Sequence, residues 1–132
     1  MIEGWSGDDY YTLFDPNDYS SSTREYGVDR LLPGHTVVGL IGWDDLILFK
    51  DNGYFTCPTV PILPQYVTRC LWSQLPTMLS SDKNLAGRCK WYTTPLVFGG
   101  NPTDDSNLLW VDYKQHRELV RWWNEKHAEL RS

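Results

Sequence analysis

The period of the apolar positions changes along this chain, and the changes mark its elements. Thr36 to Ile41 and Asp45 to Lys50 are runs of β-branched and large apolar residues separated only by Gly42-Trp43-Asp44, which predicts two antiparallel strands and a short turn. Asp51-Asn52-Gly53 follows as a hairpin signal, because asparagine and glycine enter positive φ at low cost, and Tyr54 to Cys57 returns as a third strand. Pro58 and Pro61 end that strand, since proline has no amide to give a ladder. The stretch 31–60 thus reads as a meander around which the rest is organised.

Near the C-terminal end the period becomes helical. Asp112 and Gln115 have the spacing of a capping box. His116, Leu119, Val120, Trp123, His127 and Leu130 then form one stripe of a helix over 113–131 that should pack on the sheet. Lys114, Arg117, Glu118, Arg121 and Glu125 fall on the opposite side.

Weaker patterns fill the remainder. Residues 1–9 read as an irregular acidic lead-in, Tyr10 to Phe14 as a strand, and Tyr19 to Tyr26 as a short helix capped by Asp18 and stopped by Gly27. Tyr66, Val67, Cys70 and Leu71 share a helical face within 65–72, while Cys89 to Thr93, Pro95 to Phe98 and Asn107 to Val111 read as strands joining the sheet. The expected fold is α+β over 1–132. A twisted, mostly antiparallel sheet of about five to six strands is packed by the long C-terminal helix and one or two shorter helices.

Length and composition narrow the class. At 132 residues with 41% hydrophobic content, the chain supports one core. No apolar run approaches the roughly 20 residues of a membrane span. Glu3, Asp8 and Asp9 stand where a secretory leader would be basic and then apolar, so a cytoplasmic protein without membrane contact is expected. Cys57, Cys70 and Cys89 make an odd count with no C-x-x-C pair, which favours reduced thiols over a disulfide framework or zinc knuckle.

Charge is distributed unevenly. Residues 1–29 hold seven acids against Arg24 alone, a local charge of −6, whereas the rest of the chain is near neutral. Such a segment repels phosphates and attracts basic partners, so direct nucleic-acid binding is disfavoured. Metal binding is disfavoured too: His116 and His127 would lie roughly 16 Å apart along one helix, and no H-E-x-x-H spacing occurs. The doublets Asp8-Asp9, Asp44-Asp45 and Asp104-Asp105 sit beside turn residues and are better explained as turn formers than as catalytic pairs. With no G-x-S-x-G, P-loop or G-x-G-x-x-G, the chain is expected to be neither an enzyme nor a cofactor binder. Of the seven tryptophans, Trp5 and Trp43 lie in glycine-flanked segments where burial is hardest to arrange, which marks them as interface candidates.

Three segments, GWSGDDYYTLF at 4–14, YGVDRLLPGHTVVGLIGWDDLILF at 26–49 and PLVFGGNPTDDSNLLWVDYKQHRELVRWWN at 95–124, together resemble the SUKH superfamily. Its fungal members include a regulator of cell-wall synthesis, and many bacterial members are immunity proteins of polymorphic toxin systems. The resemblance implies an α+β, cofactor-free domain that acts by binding, and the acidic face adds the expectation that its partner is a cognate toxin with a basic cleft, a nuclease or deaminase. The partner-binding candidates are Trp5, Asp8, Asp9, Asp15, Asp18, Trp43, Asp44 and Asp45, on a monomer or weak homodimer. The competing reading is a small-ligand or carbohydrate module using exposed aromatics.

Overall fold

The computed structural model describes residues 1–131. Six strands form one antiparallel sheet in chain order: β1 (Ile2–Ser6), β2 (Asp9–Leu13), β3 (Thr36–Ile41), β4 (Asp45–Lys50), β5 (Gly53–Pro58) and β6 (Thr68–Arg69). Two further strands, β7 (Cys89–Tyr92) and β8 (Leu108–Val111), pair only with each other. The helices are α1 (Tyr19–Glu25), α2 (Val28–Leu31) and α3 (Tyr113–Arg131). The fold is α+β, with the long C-terminal helix where the apolar stripe placed it.

The meander forms with its expected strand positions, and its second turn shows how sequence chemistry sets register. Lys50 pairs with Gly53, so the loop is Asp51-Asn52, and both residues take positive φ (50° and 61°). That is the geometry a two-residue hairpin needs to match strand twist. Gly53 is a strand residue instead: a Cβ there would meet the Arg69 guanidinium at 2.8 Å.

Alternation along the central strands buries both faces of the sheet. Leu46 and Leu48 of β4 join Val37, Leu40, Tyr26, Val28, Cys89, Trp91 and Val120 in the main core beneath the helices. Ile47, pointing the other way, packs with Tyr11, Leu13 and Val38 in a second cluster. A strap through Trp72, Leu75 and Leu79 covers that second face. The segment 65–72 is therefore not the expected helix. After a 3-10 turn at Pro64–Tyr66 it extends, pairing Thr68 with Thr56 and Arg69 with Phe55 at the free edge of β5, a partner that local periodicity does not register.

Other expectations are corrected in the same way. Residues 1–9 are not irregular: β1 pairs residue for residue with β2, from Ile2 opposite Leu13 to Ser6 opposite Asp9. Ser80 then covers the outer edge of β1 by exchanging both backbone hydrogen bonds with Trp5 (2.8 and 2.9 Å). Pro95–Phe98 is no strand, because Leu96–Phe98 forms a 3-10 turn closed by Gly99 at φ 90°. The strands at Cys89 and Leu108 make a separate ribbon instead of extending the main sheet. Asp18 caps nothing with its side chain; Asp15 does, accepting from the Asn17 amide at 3.0 Å.

The capping box of α3 forms as read. The Gln115 amide donates to Asp112 Oδ1 (2.8 Å), and the Asp112 amide donates to Gln115 Oε1 (3.2 Å). The buried stripe of α3 is His116, Val120 and Asn124, while Leu130 at its far end is exposed. Arg117 is not on a solvated face: it lies over Phe14 and Tyr26 (5.2 and 5.9 Å) and pairs with Glu25 at 2.7 Å. Asn124 is the inward polar residue. It accepts from the Ile62 amide (2.7 Å) and donates to the carbonyls of Thr59 (2.7 Å) and Val120 (2.8 Å), fixing the loop after β5 to the helix.

Candidate interaction surface

Antiparallel pairing brings two remote turns to one end of the sheet. Gly7 and Asp8 close the β1–β2 hairpin, and Gly42-Trp43-Asp44 closes β3–β4, with the Gly42 amide bonded to the Tyr10 carbonyl at 2.8 Å. Gly42 and Trp43 both take positive φ (61° and 60°), a conformation that costs a bulky residue energy unless packing holds it. Packing does hold it. The Trp43 ring stacks on Tyr10 at 4.9 Å and takes the edge of Trp110 at 5.4 Å. Trp5 meets Tyr10 edge-on at 5.3 Å, and Arg88 caps Trp110 at 5.3 Å. Four aromatic rings, from β1, β2, the turn and β8, thus form one ladder.

Both tryptophans chosen as interface candidates are held by this ladder. Trp5 is half-buried and donates its indole N–H to Asp82 Oδ2 (3.2 Å). Trp43 is half-buried, with an indole nitrogen that is enclosed and unpaired among the described residues. Trp43→Ala is therefore expected to lower unfolding free energy by roughly 2 kcal/mol, less than a fully buried aromatic because the ring retains some exposure. Denaturant unfolding of the purified variant checks this.

Four carboxylates surround the ladder's end. Asp8 and Asp9 are exposed on the β1–β2 side, Asp44 is exposed in the next turn, and Asp45 begins β4 half-buried. Loss of solvent around the Asp44 carboxyl raises its pKa; Lys90 opposes the shift and Asp45 adds to it. Asp45 is raised by desolvation alone. Asp15 and Asp18 are also exposed but lie past the opposite end of β2. At strand rise they are roughly 15 to 20 Å from Asp9, beyond a Debye length of about 8 Å in physiological salt. The acidic segment of the sequence is thus two patches, and only one of them joins Trp43, Asp44 and Asp45.

Glu3 is the residue that sequence reasoning left among the surface acids. It accepts from the hydroxyls of Tyr113 (2.6 Å) and Tyr10 (3.0 Å) through Oε2, and from the Gly87 amide (2.8 Å) through Oε1. Burial first, and the neighbouring Glu3 carboxylate second, push both tyrosine hydroxyls above their ordinary range, so they remain donors. This clasp ties the first strand to α3 and to the loop before β7. Its one sequence signal is that Glu3 shares a strand face with Trp5. Among the described residues, no three His, Cys, Asp or Glu side chains converge to hold a metal ion, and no helix is long and apolar enough to cross a membrane.

No protein-family model matches the chain, and no curated protein or solved structure matches it to a significant level.

Proposed function

We propose that this chain neutralises a cognate toxin by direct binding, and that the toxin is a basic nuclease or deaminase. The observation that carries this reading is the gathering of Asp8, Asp9, Asp44 and Asp45 around one aromatic ladder at a single end of the sheet. A toxin that acts on nucleic acid needs a positive cleft to hold phosphates. A rigid acidic surface complements it and accelerates encounter. The resemblance of three segments of the chain to the SUKH superfamily supports the same reading.

Co-expression with the toxin encoded beside the gene tests it: cells should survive with the protein and die without it, and equal killing in both cases would sink the reading. Because the acids form two patches, steering should be divided between them unequally. Changing Asp8 and Asp9 to Asn should slow association roughly tenfold at low salt and flatten its salt dependence. The Asp15→Asn, Asp18→Asn pair should change both far less. Stopped-flow association rates at two ionic strengths give the comparison, and equal effects from the two pairs would count against this surface. The alternative, a carbohydrate or small-ligand module, has less support, since the Trp43 ring it would use is stacked on Tyr10 and met by Trp110.

A further inference from the structure

Beside the ladder, the 3-10 turn at Leu96–Phe98 faces the end of β5 across a cleft of about 140 Å³. Val60, Trp91, Pro95 and Leu96 supply apolar wall, and Asp44 and Asp45 stand at the rim. Neither carboxylate has an ion pair or side-chain hydrogen bond among the described residues. Lys90, whose charge acts on Asp44, lies over the Tyr92 ring at 5.3 Å and makes no ion pair with either carboxylate among the described residues. Trp91 is 5% exposed, and its indole nitrogen is also without a partner among the described residues. Two carboxylates without an ion-pair partner among the described residues therefore stand beside one apolar cleft.

Size decides what class of occupant fits. Sites for drug-sized ligands run from about 300 Å³ upward. Roughly 150 Å³ is the size of an apolar cavity that takes one benzene-sized group, so this cleft suits a single side chain. We propose that it is a socket for one arginine carried on a peptide segment of a partner protein. The guanidinium's donors meet Asp44 and Asp45, its stem lies along the apolar wall, and the planar head suits the aromatic lining. Leu96 and Val97, 47% and 48% exposed, give residues flanking the arginine an apolar lip to rest on. Desolvation raises both aspartates, so a cation at the rim relieves a cost that the fold carries.

This inference deepens the toxin-binding reading and rests on it, yet it is tested separately. The full chain, labelled with nitrogen-15, is titrated with the peptide acetyl-Gly-Arg-Gly-amide and with the same peptide carrying citrulline, which keeps the shape and removes the charge. Saturable shifts are expected for residues 44, 45, 58–60 and 91–96 with arginine and not with citrulline. Changing Asp44 and Asp45 to Asn should weaken binding about tenfold or more, as loss of charge-assisted hydrogen bonds does. Should that pair fold poorly, Leu96→Arg, at an exposed position, should block the mouth with a cation of its own and abolish the shifts. Equal binding of the citrulline peptide, or full binding by either variant, overturns the socket. If arginine binds as expected but the protein fails to protect cells from the toxin, the toxin reading falls and the socket stands. If protection and toxin affinity survive unchanged in the Asn pair, the socket's part in that function is overturned.

Discussion

Asn124→Ala is expected to lower the unfolding free energy by roughly 3 kcal/mol, the largest effect of any single change considered for this fold. The side chain is 6% exposed and makes three hydrogen bonds, two of them to the loop that follows β5. Alanine would leave the Ile62 amide and the Thr59 carbonyl buried without partners, and each such group costs about 1 to 3 kcal/mol, more than the net worth of the bond it lost. Asn124→Leu separates the contributions, since it restores most of the volume and none of the hydrogen bonding. Urea unfolding of both variants should give similar losses. A leucine variant as stable as the parent would show that volume matters here and polarity does not. Thr59 and Val60 also line the arginine socket, so peptide affinity should fall in the same variants.

Acidification from pH 6.5 to 4 is expected to remove roughly 3 kcal/mol of stability through His116 alone. The imidazole is fully buried; Tyr26 Oη lies 2.8 Å from Nδ1, and Trp91 packs edge-on at 5.4 Å. Burial pushes its pKa down to about 4; the Trp43 carbonyl opposes this and the Arg117 guanidinium reinforces it. That carbonyl lies near enough to favour a charged ring without making a bond of good geometry, since Nε2 has no hydrogen-bond partner among the described residues. The sign follows from which state takes the proton first. Below its ordinary pKa of about 6.5 the unfolded histidine is protonated while the native one is not. Stability therefore falls as pH drops through that window and stops falling through this group once the native ring also charges near 4. Asp44 and Asp45 act oppositely, because their raised values favour the protonated native form as pH falls. Chemical unfolding across this range should show the loss, and His116→Gln should flatten the part of it above pH 5. A parent protein with level stability between pH 6.5 and 5 would refute the assignment.

What the chain's sequence determined by itself is whatever its neighbours in sequence enforce. The β4–β5 hairpin was legible because Asp51 and Asn52 accept positive φ without help from elsewhere. The entry to α3 was legible because Asp112 and Gln115 satisfy each other's backbone within one turn. Burial of His116 and Val120 followed from helical period alone. The other decisions belong to tertiary structure, since their partners lie far along the chain. The segment 65–72 has a helical pattern, yet an unpaired edge of β5 claims its backbone. Asn124 interrupts the apolar stripe, and only the loop 59–62, more than sixty residues earlier, explains it. Glu3 looks like one more surface acid until Tyr113, across 110 residues, closes on it. The candidate site divides along the same line. Trp43 and Asp44 were recognisable as a turn with Asp45 opening the next strand, but the strand pairing that sets Asp8 and Asp9 beside them and sends Asp15 and Asp18 away is a property of the whole sheet. The socket wall comes from Trp91, Pro95 and Leu96, which local pattern assigned to strands of one sheet; long-range packing set them across from β5, because apolar burial selects neighbours by shape and not by sequence distance.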